Sequence, residues 1–442
     1  NPEYKERDRF ILSNGHGCAI LYSILFFMGY DYTLNDIKQF RQIYSKTPGH
    51  PEKNTKLGIE VSTGPLGQGF ANAVGMAISS KYLNLSNKIY CLCGDGCIME
   101  GIVYEAASLA GHMKLNNLVV LYDYNRVTID GDLDICFSEN IEKRFESMNW
   151  IILTVDGNNI SDIEKTLILA KNVDHPVIIL VNTLIGYGST NEGNHLSHGQ
   201  SLSKEDLKSL KNKFGFDSNK MFEIKPECIE HFTKFQKIYD FKQNLKNNDT
   251  NEEFNYIINN LEKLDINLKD KASRVYSGKI IEYLTDNFHN IMVGSADVGS
   301  STNVKINNSN KYINFGVREH SMSAIANGIS TYGIIPIVSS YLVFINYFIA
   351  SIRLSAQSSH KVIYVLTHDS IKLGEDGPTH QPIEQLTFLR AIPNLLTFRP
   401  STMEETIGSY ISSILFNGPS CICLSRQNIN TIPNTNRNNV NY

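Results

Sequence analysis

Short continuous apolar runs, each closed by glycine or polar residues and followed by a longer stretch of helical periodicity, recur along both halves of this chain. In the first half, Phe10–Leu12, Ile89–Cys93, Leu118–Tyr122, Ile151–Val155 and Val177–Val181 read as buried strands. Helices are predicted over Ala19–Met28, Phe70–Leu83, Glu100–His112 and Ser161–Lys171. The run Ala19–Met28 is too short to span a bilayer and reads as a buried helix. Thr33-Leu34-Asn35-Asp36 has the form of a capping box opening the next one. The second half repeats the pattern, with strands at Ile291–Gly294, Tyr312–Phe315, Ile334–Val338, Val362–Thr367, Leu395–Phe398 and Cys421–Leu424. Its helices start from Ala272 and cover Glu319–Tyr332, Val343–Ser358 and Thr402–Phe416. Such alternation predicts an α/β chain of two tandem doubly wound parallel-sheet domains. Between them, Ser203–Lys271 shifts to Lys, Asn, Glu and scattered aromatics, a helical and partly loose connector. The expected division is 1–216, a linker over 217–271, and 272–442, with an Asn-rich loop at Lys305–Lys311. No repeat of solenoid length is present in the sequence.

A length of 442 residues exceeds one hydrophobic core, which agrees with two domains. A net charge of -4 gives no basic footprint for nucleic acid, so an anionic ligand must be met by a local cluster. Of the eight cysteines, Cys91 and Cys93, and Cys421 and Cys423, point to one face of their strands and into a core. This resembles neither a zinc knuckle nor a redox pair, and the expectation is reduced thiols in a cytoplasmic protein without a signal peptide or membrane span.

The candidate chemistry gathers at strand ends. Gly94-Asp95-Gly96 closes one strand, and Asp123-Tyr124-Asn125 lies just past the next. The carboxyl ends of strands are where open α/β sheets bind ligands, and a carboxylate with an amide oxygen suits Mg²⁺ or Ca²⁺ beside phosphate. His16 follows a glycine and precedes an apolar helix; a helix-start residue or a ligand contact both fit. Tyr44–Gly69 is a long loop rich in Gly and Pro, holding His50 and Gly64-Pro65-Leu66-Gly67, either a functional loop or a surface turn. His195 and His198 sit in a polar loop without a cysteine or acidic partner, a weak metal signal; a ligand contact is expected for His198 and a solvated His195.

The Gly-Asp-Gly followed at an interval by Asn125, with Cys97-Ile98-Met99-Glu100-Gly101 between, resembles the thiamine diphosphate motif of transketolases. The resemblance extends through Ser13-Asn14-Gly15-His16-Gly17, Lys46-Thr47-Pro48-Gly49-His50-Pro51 and Thr63-Gly64-Pro65-Leu66-Gly67-Gln68-Gly69. It continues at Gly316-Val317-Arg318-Glu319-His320, Thr367-His368-Asp369-Ser370, the stretch from Gly374 to Pro382, and Leu424-Ser425-Arg426-Gln427-Asn428, and covers nearly the whole chain. It implies a ketol transferase that uses thiamine diphosphate and Mg²⁺, or Ca²⁺, to move a two-carbon unit from a ketose phosphate to an aldose phosphate in the non-oxidative pentose phosphate pathway. By the same resemblance, Asp95, Asn125 and the carbonyl of Val127 hold the metal. His16, Gly64, Pro65, Leu66, Gly96, His198 and Asp297 touch the cofactor. Tyr341, Phe344 and Tyr347 form a platform for its pyrimidine, and Glu319 bonds the aminopyrimidine and activates it. His50, His198, Arg274, Ser301, His368, Asp376, His380 and Arg426 meet the sugar phosphate, with His380, His50 and His198 near the reacting carbons.

The resemblance further implies a homodimer with the cofactor at the subunit interface. The chain opens on Asn1 and reads as a fragment: the family's front segment with a further histidine and its C-terminal third domain are expected to be absent from it. Tyr124 and Arg126 depart from the usual Asp-Asp-Asn pattern but leave the ligands in place. An inactive transketolase-like scaffold and a ketol transferase using formaldehyde remain as alternatives.

Overall fold

The computed structural model describes residue 2 and residues 4–242, 250–266 and 268–440. Residues 243–249 and 267 of the predicted connector lie outside them. The chain divides into two compact units, one of Asn1–Ala73 with Leu85–Asn247, the other of Val74–Asn84 with Asn248–Tyr442.

The first unit is built on a parallel sheet of β1 (Arg9–Leu12), β2 (Ile89–Gly94), β3 (Leu118–Tyr124), β4 (Ile151–Asp156) and β5 (Val177–Asn182), in the order β1-β2-β3-β5-β4. Its central strands are apolar throughout because both faces are covered: Ile89, Cys91, Cys93, Val119, Val120 and Tyr122 are all buried. In register, Cys93 lies opposite Tyr122 and Gly94 opposite Asp123, so the ends of β2 and β3 lie side by side. The capping box is present, Thr33 and Asp36 bonding reciprocally. Two expectations are corrected. The helix Cys18–Phe27 is not buried all round: Cys18, Tyr22 and Leu25 are covered, but Ile20 is 61% exposed. A short helix has one stripe to bury, and the outer stripe has a second use described below. Gly94-Asp95-Gly96 is also more than a turn, since Asp95 opens the short helix Asp95–Met99 ahead of Gly101–His112. Gly67, at φ +78°, passes beneath that junction, where an added Cβ would meet Ile102 at 2.6 Å.

The second unit carries β6 (Ile291–Ser295), β7 (Tyr312–Asn314), β8 (Ile335–Tyr341), β9 (Ile363–Thr367), β10 (Leu396–Phe398) and β11 (Ser420–Leu424). They pair in the order β10-β11-β9-β8-β6-β7, and the ladder pairs are parallel. Helices Thr250–Glu262, Ser273–Asn287 and Met403–Leu415 supply apolar residues such as Leu261, Ile280 and Ile407 to one core with the strands. Helix Glu319–Ser330 packs against β8 and against Ile349–Gln357. The single helix expected over Val343–Ser358 is two elements, a 3-10 segment Leu342–Tyr347 and the α-helix Ile349–Gln357. Buried Phe348, at φ −134°, breaks the helical path between them. Cys91, Cys93, Cys421 and Cys423 are all buried, as their spacing implies. No helix among the described residues is long and apolar enough to cross a membrane.

Candidate functional site

In both units many of the residues singled out in the sequence, Asp95, Asn125, Asp297, Tyr341, His368 and Arg426 among them, stand at or just past the carboxyl ends of strands, where a parallel sheet turns its backbone toward a ligand. In the first unit, β1 leads through Asn14 to the 3-10 turn Gly15–Gly17, which presents His16. The end of β2 gives Asp95 and Gly96, and that of β3 gives Asp123, Asn125 and Val127. These residues, together with His50, Gly64, Leu66 and His198, line one cavity of about 1050 Å³. The exposed stripe of the first helix contributes Ala19 and Ile20 to the same wall. Pro65 is exposed and is not one of the lining residues. His195 precedes the short helix Leu196–Gly199 and is half-buried, not solvated as expected, because it opens a folded turn.

The long loop is held by its backbone. The hydroxyl of Tyr22 donates to the Pro48 carbonyl at 3.0 Å and the Cys18 thiol to that of Gly49 at 3.2 Å, which fixes the approach to His50. Gly64, at φ +150°, brings its Cα alongside the His50 ring, where a Cβ would sit 3.5 Å away.

Asp95 is 3% exposed. Burial pushes its carboxyl up to about 6, opposed chiefly by a hydrogen bond that the Tyr122 hydroxyl donates to Oδ1. The amides of Val127 and Arg126 lie near enough to favour the charged form, but none makes a well-formed bond to Oδ2, which has no partner among the described residues. The rings of His16 and His198 lie 5.0 Å apart, and burial lowers the pKa of both, with His198 adding to the effect on His16. Both therefore favour the neutral imidazole, and the buried Nδ1 of His198 also lacks a partner among the described residues.

This donor set fits a diphosphate and a hard cation. Three unpartnered buried polar atoms, Asn14 Oδ1, Asp95 Oδ2 and His198 Nδ1, belong to residues of the cavity wall, and Gly96 leaves room that a Cβ, 2.7 Å from Leu66 Cδ1, would occupy. No cluster of three or more His, Cys, Asp or Glu able to hold a metal occurs among the described residues. A buried carboxylate beside a carboxamide oxygen, as Asp95 and Asn125 offer in this lining, is a mixture suited to Mg²⁺ or Ca²⁺.

In the second unit, Arg274 donates to the Ser301 carbonyl, and the Tyr341 hydroxyl donates to Ser301 Oγ at 2.9 Å. The Tyr341 ring lies 3.9 Å from His368 and 5.7 Å from Phe344, with Phe344 5.3 Å from His380 and 6.0 Å from Tyr347. The three-residue spacing of the aromatics suits the 3-10 segment, where residues three apart eclipse. Asp297, at φ +60°, lines a smaller cavity of about 320 Å³ with Ser301 and Tyr341. Arg426 is ion-paired with Glu375, and Asp376 is exposed. Glu319 is the first residue of its helix, half-buried, its pKa raised by burial. No hydrogen bond or ring contact among the described residues joins it to the aromatic group.

His368 is buried at φ +62°, and burial, followed by Arg274 and Arg426, lowers its pKa to about 4. An unfolded histidine binds its proton near 6.5, so between these values the unfolded state holds more protons. Stability is then full above about pH 6.5 and is lost as pH falls toward 4, by at most ~3 kcal/mol. A His368→Asn chain is expected to lose less melting temperature than the parent on acidification through that window; equal losses would contradict it.

Two residues that bear on the site escaped sequence reasoning. Tyr122 holds Asp95, and Thr183, just past β5, donates to Oδ1 of Asp123, which lines the cavity. Their signal is register across strands, which only the paired sheet reveals.

Comparison with known proteins agrees with both halves. The family described as transketolase, thiamine diphosphate binding domain, matches residues 1–280, and that described as transketolase, pyrimidine binding domain, matches residues 269–431. Transketolase 1 of Saccharomyces cerevisiae is 41% identical over 97% of this chain and 70% of its own length. The transketolase of Aquifex aeolicus is 40% identical over 98% and 68%. The solved transketolase from Leishmania mexicana superposes with a TM-score of 0.93 at 38% identity, covering 99% of this chain and 72% of that one. That from Campylobacter jejuni gives 0.92 at 40%, covering 98% and 72%. On sequence and fold alike, the chain belongs to the transketolase family.

Proposed function

We propose that the two sets of strand ends perform the two halves of one task, transfer of a two-carbon ketol unit from a ketose phosphate to an aldose phosphate. The observation that carries the residue assignment is the first-unit cavity, where buried Asp95 has one oxygen held and the other unpartnered. Asp95, Asn125 and the Val127 carbonyl would hold Mg²⁺, with Ca²⁺ able to replace it, and the neutral His16 and His198 would meet the diphosphate. Gly64 and Leu66 would lie against the cofactor ring. Thiamine diphosphate, when bound, supplies the electron sink that lets a carbon–carbon bond beside a carbonyl break.

The chain's own residues then bind, orient and move protons. Tyr341, Phe344 and Tyr347 give an apolar face for a flat ring, and Asp297 a polar edge. Glu319, its carboxyl biased toward the protonated form by burial, would bond the aminopyrimidine. Arg274, His368, Arg426 and Ser301 would receive the sugar phosphate, and Asp376 a sugar hydroxyl. His380, His50 and His198 would exchange protons with substrate oxygens. Asp95 and Glu319, whose loss would mark an inactive scaffold, are both present. A transfer assay with a ketose phosphate donor and either an aldose phosphate or formaldehyde as acceptor tests the reading; turnover with neither would overturn it. The cytoplasm, where these intermediates and reduced thiols occur together, is the proposed compartment.

Since Tyr22 holds the backbone before His50, Tyr22→Phe is expected to weaken substrate binding by about 1 kcal/mol, a KM rise near fivefold with kcat nearly kept. An unchanged KM would separate this bond from substrate binding.

We also propose a homodimer in which the first-unit cavity of one chain works with the second-unit strand ends of the other. Exposed apolar residues beside the second-unit residues, Val317 at 74% and Tyr347 at 64%, support a covered surface there. Two inactive variants, Asp95→Asn and Glu319→Gln, are then complementary. Mixed dimers would carry one site with both changes and one with neither, so equal mixtures should regain roughly a quarter of parental activity. No regain despite exchange of subunits would place each site within one chain.

A further inference from the structure

Three hydrogen bonds lie behind the first-unit cavity. Tyr122 donates to Asp95 Oδ1. Asn125 Nδ2 donates to Asp123 Oδ2 at 3.2 Å, and Thr183 Oγ1 donates to Asp123 Oδ1. The first and third join the ends of neighbouring strands, and the second lies within the end of β3: Tyr122 and Asp123 are opposite Cys93 and Gly94 of β2, and Asp123 is opposite Val181 of β5.

Their effect on the two side chains proposed as ligands is specific. With Oδ1 occupied by Tyr122, the carboxylate of Asp95 is fixed in rotation and leaves Oδ2, buried and unpartnered, as its remaining donor. Asn125 has a two-fold choice of amide orientation, and an acceptor at Asp123 Oδ2 selects the one in which Nδ2 faces Asp123. Its Oδ1, which accepts from the Val127 amide at 3.1 Å, keeps a second lone pair. Asp123 in turn is fixed by Thr183, which stands over Gly157 at the end of β4; a Cβ on Gly157 would come within 2.5 Å of Thr183 Cγ2. On the outer side the Tyr122 ring packs 5.0 Å from Tyr124, over which Arg126 lies at 4.8 Å. Tyr124 and Arg126 thus stack in turn beside the residue that holds Asp95.

We propose that Tyr122 and the Thr183–Asp123 pair are positioning residues for the cation, orienting Asp95 and Asn125 before it arrives. The proposal rests on the reading of Asp95 and Asn125 as metal ligands. Partners of this kind change metal affinity by about 10–100-fold when removed, because a ligand left to rotate must be ordered on binding.

The test is a calorimetric titration of Mg²⁺ into the full chain at saturating thiamine diphosphate, with each variant's metal-free melting temperature measured beside it. Tyr122→Phe and Thr183→Val are expected to raise the Mg²⁺ Kd by about tenfold or more. Thr183→Ser, which keeps the hydroxyl, should stay within about twofold of the parent. A loss caused only by weakened folding would appear in melting temperature and would not be rescued by serine. If Asp95→Asn abolishes Mg²⁺ binding while Tyr122→Phe and Thr183→Val bind as the parent does, the positioning role is overturned and the ligand assignment stands. If Asp95→Asn binds like the parent, the ligand assignment itself fails, and the positioning role with it.

Discussion

Glu319→Gln is expected to lower ketol transfer by about 10²–10⁴-fold while thiamine diphosphate binds within a few-fold of the parental affinity. Glutamine keeps the length and the hydrogen-bonding reach of glutamate, so it can occupy the same place at the start of helix Glu319–Ser330. It cannot exchange a proton. Glu319 is half-buried, and its pKa is raised by burial, partly offset by its own backbone amide. A carboxyl so placed passes between charged and neutral forms more readily near neutral pH than an exposed one. The proposed role needs that property, because the group it contacts changes its own protonation during activation. Paired measurements of kcat and cofactor Kd decide the matter. A fall in both would indicate a binding role, and a kcat within about tenfold of the parent would remove Glu319 from the chemistry.

Asp95→Asn is expected to cost about 2–5 kcal/mol of Mg²⁺-dependent cofactor affinity, or roughly thirtyfold to several thousandfold. The change is nearly isosteric and leaves an acceptor for the Tyr122 hydroxyl, so the local fold should survive. What it removes is the charge. In the metal-free chain that charge is a liability: burial raises the pKa from 3.8 to about 6. For a carboxyl whose folded pKa lies above its unfolded one, stability is greatest below the unfolded value and falls as pH rises through the folded one. At pH 7 the variant should therefore melt at or above the temperature of the metal-free parent, although it binds cofactor far more weakly. Weak binding with a lowered melting temperature would indicate a damaged fold and not a lost ligand. Chelation of the metal from the parent should reproduce the variant's cofactor affinity.

The strands were legible because parallel strands covered on both faces must be apolar throughout. Ile89–Gly94 and Leu118–Tyr124 each extend the expected run only by the residues that begin the site. The break at Phe348 was not legible, since a buried phenylalanine carries no mark of a helix end. Nor was the half-exposed first helix. An apolar sequence says that a surface avoids water but not what covers it, and Ile20 faces the cavity wall instead of a core. Within the site, Asp95, Asp123 and Asn125 stand out because they lie just past apolar runs. Tyr122 reads as one more core residue, and its role follows from the register that sets Cys93 opposite Tyr122. Thr183 has no local signal, as its partner is 60 residues away. Glu319 and the sugar-facing residues of the second unit were identified through resemblance; periodicity alone gives Tyr341, Phe344 and Tyr347 as core more readily than as a platform.

The most direct test of the account is a calorimetric titration of this chain with thiamine diphosphate, with Mg²⁺ present and after chelation, at a concentration where its assembly state is known. Saturable binding of one cofactor per chain, requiring the metal and lost with Asp95→Asn, is the expected result. Binding that is indifferent to metal and to Asp95, or no binding by a well-folded dimer, would contradict it.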